Sequence, residues 1–118
     1  MVRPVRVLFL TAEAAPLAKV GGLGDVGGAL PRALRRLGYD IRTSLPRYPS
    51  IDLPATAASS RRQITVARGA EALPGVLYRW TVRGVPYLLV DGEPVARDRG
   101  IYGGGREEGE KFLFWCQG

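Results

Sequence analysis

The sequence predicts an α/β fold built on one parallel βαβ unit, and three observations predict it. Val5 to Thr11, "VRVLFLT", is a short apolar run with β-branched and aromatic residues, the texture of a buried parallel strand. Leu23, Val26, Leu30, Ala33, Leu34 and Leu37 recur at helical spacing. Asp40 to Leu45, "DIRTSL", reads as a second strand ended by Pro46. Strand, loop, helix and strand in that order make a βαβ unit, right-handed by the general rule for such crossovers.

The elements follow in chain order. Ala12 to Gly22 is a loop holding Pro16 and the Gly21-Gly22 pair, and the helix runs from Leu23 to Leu37. Gly38 stands where a C-terminal cap belongs. Pro31 lies inside this helix, where it loses one hydrogen bond and crowds the carbonyl four residues back. Gly27 and Gly28, with no side chains, leave a kinked helix room to bend; two short helices meeting at Pro31 is the alternative. Pro46 to Ser60 reads as a loop. Gln63 to Arg68, Val76 to Val82 and Val85 to Val90 read as short strands, with Arg83-Gly84 forming a tight hairpin between the last two. Asp91 to Gly105 reads as a second long loop. Glu107 to Cys116 reads as a helix with acids in its first turn and with Phe112, Leu113 and Trp115 to bury. One parallel unit plus a few hairpin strands covers little of its sheet on both faces, and such sheets normally continue. The expectation is therefore a truncated gene product or a fragment of a longer enzyme.

Composition narrows the function. The chain has 118 residues, 46% hydrophobic and 24% charged, which suits one domain or a piece of one and argues against disorder. It has no histidine, which excludes His-based metal sites and the Ser-His-Asp and Cys-His nucleophile arrangements. The single cysteine, Cys116, excludes a CxxC zinc site and an internal disulfide, and makes a reducing cytosol the default location. No apolar run reaches the roughly 18 residues of a membrane span, and Val7 to Leu10 is too short for a secretory signal. The net charge is +6, but the basic residues are nearly all arginine and are scattered. Arg35-Arg36 and Arg61-Arg62 are the densest groups and carry no interleaved aromatics, so nucleic-acid binding ranks below a compositional bias. Arg35 and Arg36 read as a solvated helix face. Tyr48, Tyr102 and Trp80 read as packing before sugar stacking, and Cys116 reads as a small buried hydrophobe.

The most informative stretch is Lys19 to Gly28, "KVGGLGDVGG". Gly22, Gly24 and Gly27 spell G-x-G-x-x-G, the dinucleotide fingerprint, which would make the chain an NADP-binding oxidoreductase fragment. The fit is poor: a long loop separates the first glycine from the strand, and the second strand ends in Leu45-Pro46-Arg47 without the ribose-binding acid. An NADP reading would have to lean on Arg47. A second reading is a phosphate-facing loop, in which glycines let backbone N–H groups approach an anion at a helix N-terminus and Lys19 adds an ammonium. A third is a tight strand-to-helix connection whose glycines serve close packing only.

Taken in order, Ala12-Glu13, Pro16, Lys19-Val20-Gly21-Gly22-Leu23, Asp25-Val26, Ala29-Leu30-Pro31 and Leu45-Pro46-Arg47-Tyr48-Pro49 closely resemble the N-terminus of bacterial glycogen synthases and plant starch synthases. Asp98 to Gly103, "DRGIYG", and Glu110 to Phe114, "EKFLF", resemble that family's Arg-x-x-Tyr-Gly loop and following helix. The resemblance is loosest from Ala55 to Gly75, and Val20 stands where the family often has threonine. It implies a glycosyltransferase-B architecture, in which residues 1–118 form part of the Rossmann-like N-terminal domain with an added short antiparallel hairpin region. The C-terminal donor-binding domain would be absent. It further implies a retaining glucosyltransferase that uses ADP-glucose as donor and an α-1,4-glucan as acceptor, with no metal and no cofactor. Lys19 would contact the donor phosphates, and Gly21 and Gly22 would let the backbone approach phosphate or glucose. Asp25 would cap the helix or face the sugar, and Glu13 would reach the cleft or be an ordinary loop acid. No residue of this stretch is assigned as catalytic, and the 118 residues alone are expected to be inactive, because half a cleft neither holds the adenosine nor excludes water.

Overall fold

The computed structural model describes residues 3–97 and 100–118. Strand β1 (Arg6–Leu10) lies at one edge of a sheet and pairs in parallel with β2 (Asp40–Pro46), which pairs in parallel with β5 (Val85–Asp91). β5 runs antiparallel to β4 (Glu71–Val82), and β4 antiparallel to β3 (Arg62–Arg68), giving the order β1-β2-β5-β4-β3. Helix α1 (Gly22–Arg36) crosses from β1 to β2, and single turns form α2 (Ala55–Ala58) and α3 (Glu93–Arg97) before α4 (Gly105–Gln117). The expected α/β fold with its hairpin region is present.

Side chains alternate across the sheet, so it carries a core on each face. Leu45, Val85, Tyr87 and Leu89 pack with Ala14, Ala18, Tyr48 and Ile51 on one face. Val66 and Val90 pack with Val95, Phe114 and Trp115 on the other. α4 is locked there by shape and by one polar bond. The Phe114 ring lies where a side chain at Gly92 would stand, 2.4 Å from the Cβ position, and the Trp115 indole N–H donates to Ser44 Oγ at 2.9 Å.

Local chemistry explains the ends of these elements. Gly38, at φ +94°, follows the last turn of α1. Its N–H bonds the Arg35 carbonyl at 3.0 Å and the Tyr39 N–H bonds the Leu34 carbonyl at 3.1 Å, which is a Schellman cap. Val82 pairs with Val85 across Arg83 and Gly84, at φ 52° and 78°, the two positive values that a tight I′ hairpin requires.

Several expectations are corrected. β1 is parallel but not buried: it is an edge strand, with Leu8 59% and Leu10 44% exposed. Pro46 belongs to β2 rather than ending it before that residue. β4 begins at Glu71, five residues before the predicted Val76, and passes through Pro74. Pro74 is tolerated because β5 pairs with β4 only from Val76 onward, so at Pro74 the strand has just one neighbour, β3. The two predicted loops contain α2 and α3. Arg35 is not simply solvated: its guanidinium donates to the Ile41 carbonyl at 2.9 Å. Cys116 is exposed, not buried.

α1 is a single helix with Pro31 inside it, and it sits with its small side inward. Gly24, Gly27 and Pro31 are buried, while Leu23, Val26 and Leu30 face outward. The cause is close approach to the preceding loop. A Cβ on Gly27 would stand 2.1 Å from the Glu13 carbonyl oxygen, and one on Gly28 2.5 Å from that of Ala15. The room at these glycines is filled by the loop rather than left for a bend at Pro31.

Gly27→Ala is therefore expected to destabilise the fold by about 1–3 kcal/mol, the usual cost of forcing extra volume into a packed site. Gly22→Ala, whose Cβ would meet nothing within 4 Å, is expected to change stability by less than about 1 kcal/mol. Urea unfolding of the two variants checks both, and equal effects would contradict this account of the helix face.

Candidate functional site

In open α/β sheets, ligands bind beyond the carboxyl ends of the parallel strands. Here the loops leaving β1 and β2 converge with the segment before α4 at that end. The Thr11 N–H donates to the Ser44 carbonyl at 3.2 Å, and its hydroxyl donates to the Glu13 carbonyl at 2.8 Å. The buried Tyr48 hydroxyl donates to the Ala12 carbonyl at 2.7 Å. These bonds fix the backbone that presents Glu13.

Glu13 turns inward and is 3% exposed. Its Oε1 accepts the Val20 N–H at 2.6 Å and the Gly21 N–H at 3.0 Å; its Oε2 accepts the Tyr102 hydroxyl at 2.7 Å. The Gly21 amide, then the Val20 amide, then the Tyr102 hydroxyl hold the Glu13 carboxyl below its ordinary range, against the opposing effect of burial. The Tyr102 phenol is pushed up to about 12, first by burial and then by its bond to Glu13.

Above this buried carboxylate lies an exposed lip. Lys19 Nζ stands 2.8 Å from Asp25 Oδ1, with the two side chains 49% and 62% exposed. A Cβ placed on Gly21 or Gly22 would meet nothing within 4 Å. Lys19, Gly21, Gly22 and Asp25 thus come together on one surface, with Glu13 beneath rather than among them. Asp25 makes no capping bond: the N-cap is Gly21, without a side-chain hydrogen bond, and the Asp25 carboxylate goes to Lys19. Its place in the first turn still suits the helix dipole.

The glycines divide into two sets. Gly24 is covered by Lys19 Cγ at 2.7 Å, and Gly27 by the Glu13 carbonyl, so close packing accounts for both. No packing contact accounts for Gly21 and Gly22. Gly22, Gly24 and Gly27 therefore do not face one common ligand, as a dinucleotide fingerprint would. Arg47, on which the NADP reading leaned, lies 3.5 Å from Asp91.

The aromatic expectations separate as well. Tyr48 is wholly buried and Trp80 packs at the margin of the core. Tyr102 is 45% exposed and has a polar role that packing does not describe. Sequence reading also missed Lys111. It is fully buried, and its ammonium donates to the Gly100 carbonyl at 3.0 Å and to that of Ile101, holding the segment that carries Tyr102. The signal was there: Lys111 shares the helical spacing of Phe114 and Trp115, the buried face of α4. Asp98 and Arg99 of the "DRGIYG" segment lie outside the described residues.

Comparisons with known proteins agree on one family. The family model described as the starch synthase catalytic domain matches residues 6–118. The glycogen synthase of Moorella thermoacetica is 35% identical over 124 aligned residues, covering 99% of this chain and 24% of that protein. The glycogen synthase of Aromatoleum aromaticum is 45% identical over 98 residues, covering 81% of this chain and 19% of that protein. The catalytic domain of starch synthase IV from Arabidopsis thaliana, solved bound to ADP and acarbose, superposes with a TM-score of 0.81 at 25% identity, over 98% of this chain and 24% of that one. The chain spans about a quarter of the length of the relatives it matches. Among the described residues, no helix is long and apolar enough to cross a membrane.

The buried carboxylate makes stability depend on acid in a defined direction. Unfolded, Glu13 protonates near its ordinary 4.5; folded, it protonates at lower pH. Its contribution is full above that ordinary value and is lost as pH falls through the folded value. Wild-type unfolding free energy should thus drop on acidification below pH 4.5, and Glu13→Gln should show a shallower drop. The remainder would come from Glu110, lowered chiefly by its bond to Arg106. Urea unfolding across this range checks it; identical slopes would contradict the assignment.

Proposed function

This chain belongs to the family of starch synthase catalytic domains, and on that premise we propose that it forms part of the N-terminal domain of an ADP-glucose-dependent glycogen or starch synthase. The reaction transfers glucose from ADP-glucose to the non-reducing end of an α-1,4-glucan, with retention at the anomeric carbon. The observation that carries this reading is the exposed lip. Lys19 presents an ammonium beside Gly21 and Gly22, two glycines that no packing contact explains and whose backbone is open to close approach. There Lys19 meets the donor phosphates and stabilises charge growing on the departing ADP. Asp25, now paired with Lys19, is released toward the sugar when phosphate takes the ammonium. ADP and acarbose in the Arabidopsis structure support nucleotide-sugar and glucan partners.

The rest of the catalytic domain has a place to dock. Leu8 and Leu10 lie exposed on β1, the border strand of the sheet, which has no outer neighbour among the described residues, and Leu23, Val26 and Leu30 lie exposed on α1. The relatives are about four times as long, and the remainder of the same domain is the occupant proposed for this border. A separate C-terminal domain holds the adenosine. The proposed location is the cytoplasm, where the exposed Cys116 stays reduced.

The test is a titration of the isotope-labelled chain with ADP-glucose, followed by backbone amide resonances. Shifts are expected to centre on Lys19 to Leu23. Lys19→Ala is expected to weaken binding by about tenfold or more, since a charge-assisted bond is worth about 1.5–3 kcal/mol. A Lys19→Ala chain that titrates like wild type would overturn the reading, while glucan elongation by the 118-residue chain above its Lys19→Ala control would overturn the expectation that it is inactive alone.

A further inference from the structure

We propose that Glu13 is a positioning residue, a buried carboxylate that sets the shape of the Lys19–Gly22 lip and ties it to Tyr102 without touching substrate itself. That the lip contacts a donor rests on the reading above; the clamp rests on geometry alone.

Glu13 has no face to offer a ligand, because it is 3% exposed and both oxygens are bonded. Its own backbone is held from two sides. The Thr11 hydroxyl bonds its carbonyl from the β1 end, and α1 presses against the same carbonyl at Gly27. The lip, by contrast, has little else to hold it. Val20 is 66% exposed, and Gly21 and Gly22 pack against nothing within 4 Å of their Cβ positions. Apart from the Lys19–Asp25 pair, the packing of Lys19 on Gly24 and a turn bond from the Gly24 N–H to the Gly21 carbonyl, the bonds to Glu13 are what join residues 19–21 to the fold among the described residues.

The third bond reaches a distant part of the chain. Tyr102 follows Gly100 and Ile101, whose carbonyls are held by buried Lys111. Glu13 therefore joins a lip at the start of α1 to a segment anchored by α4. Among the described residues no cation lies within bonding distance of Glu13. The groups facing it are the Gly21 and Val20 amides, the Tyr102 phenol and, with the smallest effect, the Gly24 amide; Glu108 of α4 acts on that phenol, and Lys19 and Asp25 neutralise each other on the lip. Three donors on one carboxylate is an arrangement that a neutral amide meets only in part. Glutamine can accept the two amide bonds more weakly, and must turn its NH2 toward the Tyr102 oxygen.

Amide exchange and acid titration of the 118-residue chain by NMR test this without a ligand. In wild type the Val20 and Gly21 amides should be protected, and their resonances should move together as Glu13 titrates. In Glu13→Gln they should exchange about tenfold faster, as expected when a charged acceptor becomes neutral, while the Trp115 indole resonance stays put and reports an intact fold. Tyr102→Phe should leave both amides protected but raise the titration midpoint of Glu13. Unchanged exchange in Glu13→Gln, or wild-type amides indifferent to the Glu13 titration, would overturn the clamp. An unmoved midpoint in Tyr102→Phe would overturn the tie to that segment. With ADP as probe, Glu13→Gln should bind about tenfold more weakly, in proportion to the loosened lip. If ADP perturbs no lip resonance even in wild type, the donor reading fails while the amide measurements still decide the clamp.

Discussion

A buried charge with no counter-ion among the described residues is the constraint on which this end of the molecule depends. Taking a carboxylate out of water is costly unless donors replace the water, and Glu13 has three at 2.6 to 3.0 Å. Two of them are the amides that a glycine loop would otherwise turn toward a bound anion. The loop is therefore not an empty amide cradle, because its inner amides already hold an anion of the protein's own. What remains for the outside is the Lys19 ammonium, the open backbone at Gly21 and Gly22, and the first amides of α1, which have no intrahelical acceptor.

The same economy of space explains the inverted helix. A helix is usually expected to bury its apolar stripe, but α1 must pass the Glu13 and Ala15 carbonyls at distances that leave no room for side chains. The face that meets the loop is made of Gly24, Gly27, Gly28 and Pro31, and the leucines are turned the other way. An apolar pattern reports that a face is to be covered. It does not report whether the covering element belongs to the same stretch of chain, and β1 carries the same message at the open edge of the sheet.

What was legible in the sequence was local. The Gly38 cap, the Arg83-Gly84 hairpin and the order of strand and helix follow from the chemistry of a few adjacent residues. The ordered motifs from Glu13 to Pro49 carried the family. What was not legible depends on residues far apart. Pro74 lies within a strand because of where β5 stops pairing with β4, which no local rule states. The third donor to Glu13 comes from Tyr102, distant in sequence. No local rule marks Lys111 for burial, although its spacing with Phe114 and Trp115 places it on the buried face of α4. α2 and α3 are single turns, too short for periodicity to register.

The pairing of Lys19 with Asp25 fits the proposed reading for a physical reason. Both side chains are open to water, where an ion pair contributes about 0–1 kcal/mol. A single carboxylate is thus a weak tether, and a diphosphate with more charge competes well for the same ammonium. On the proposed reading the contest tilts further once a second domain covers the lip. Two unit charges about 4 Å apart interact by about 1 kcal/mol in bulk water and by about 4 kcal/mol at the effective dielectric of a partly enclosed protein site. The lysine's contribution is therefore set less by its own position than by what closes over it. On the proposed reading, a lip held in shape by Glu13 but open to solvent has its geometry in place before its electrostatic strength, and the strength comes with the covering half of the cleft.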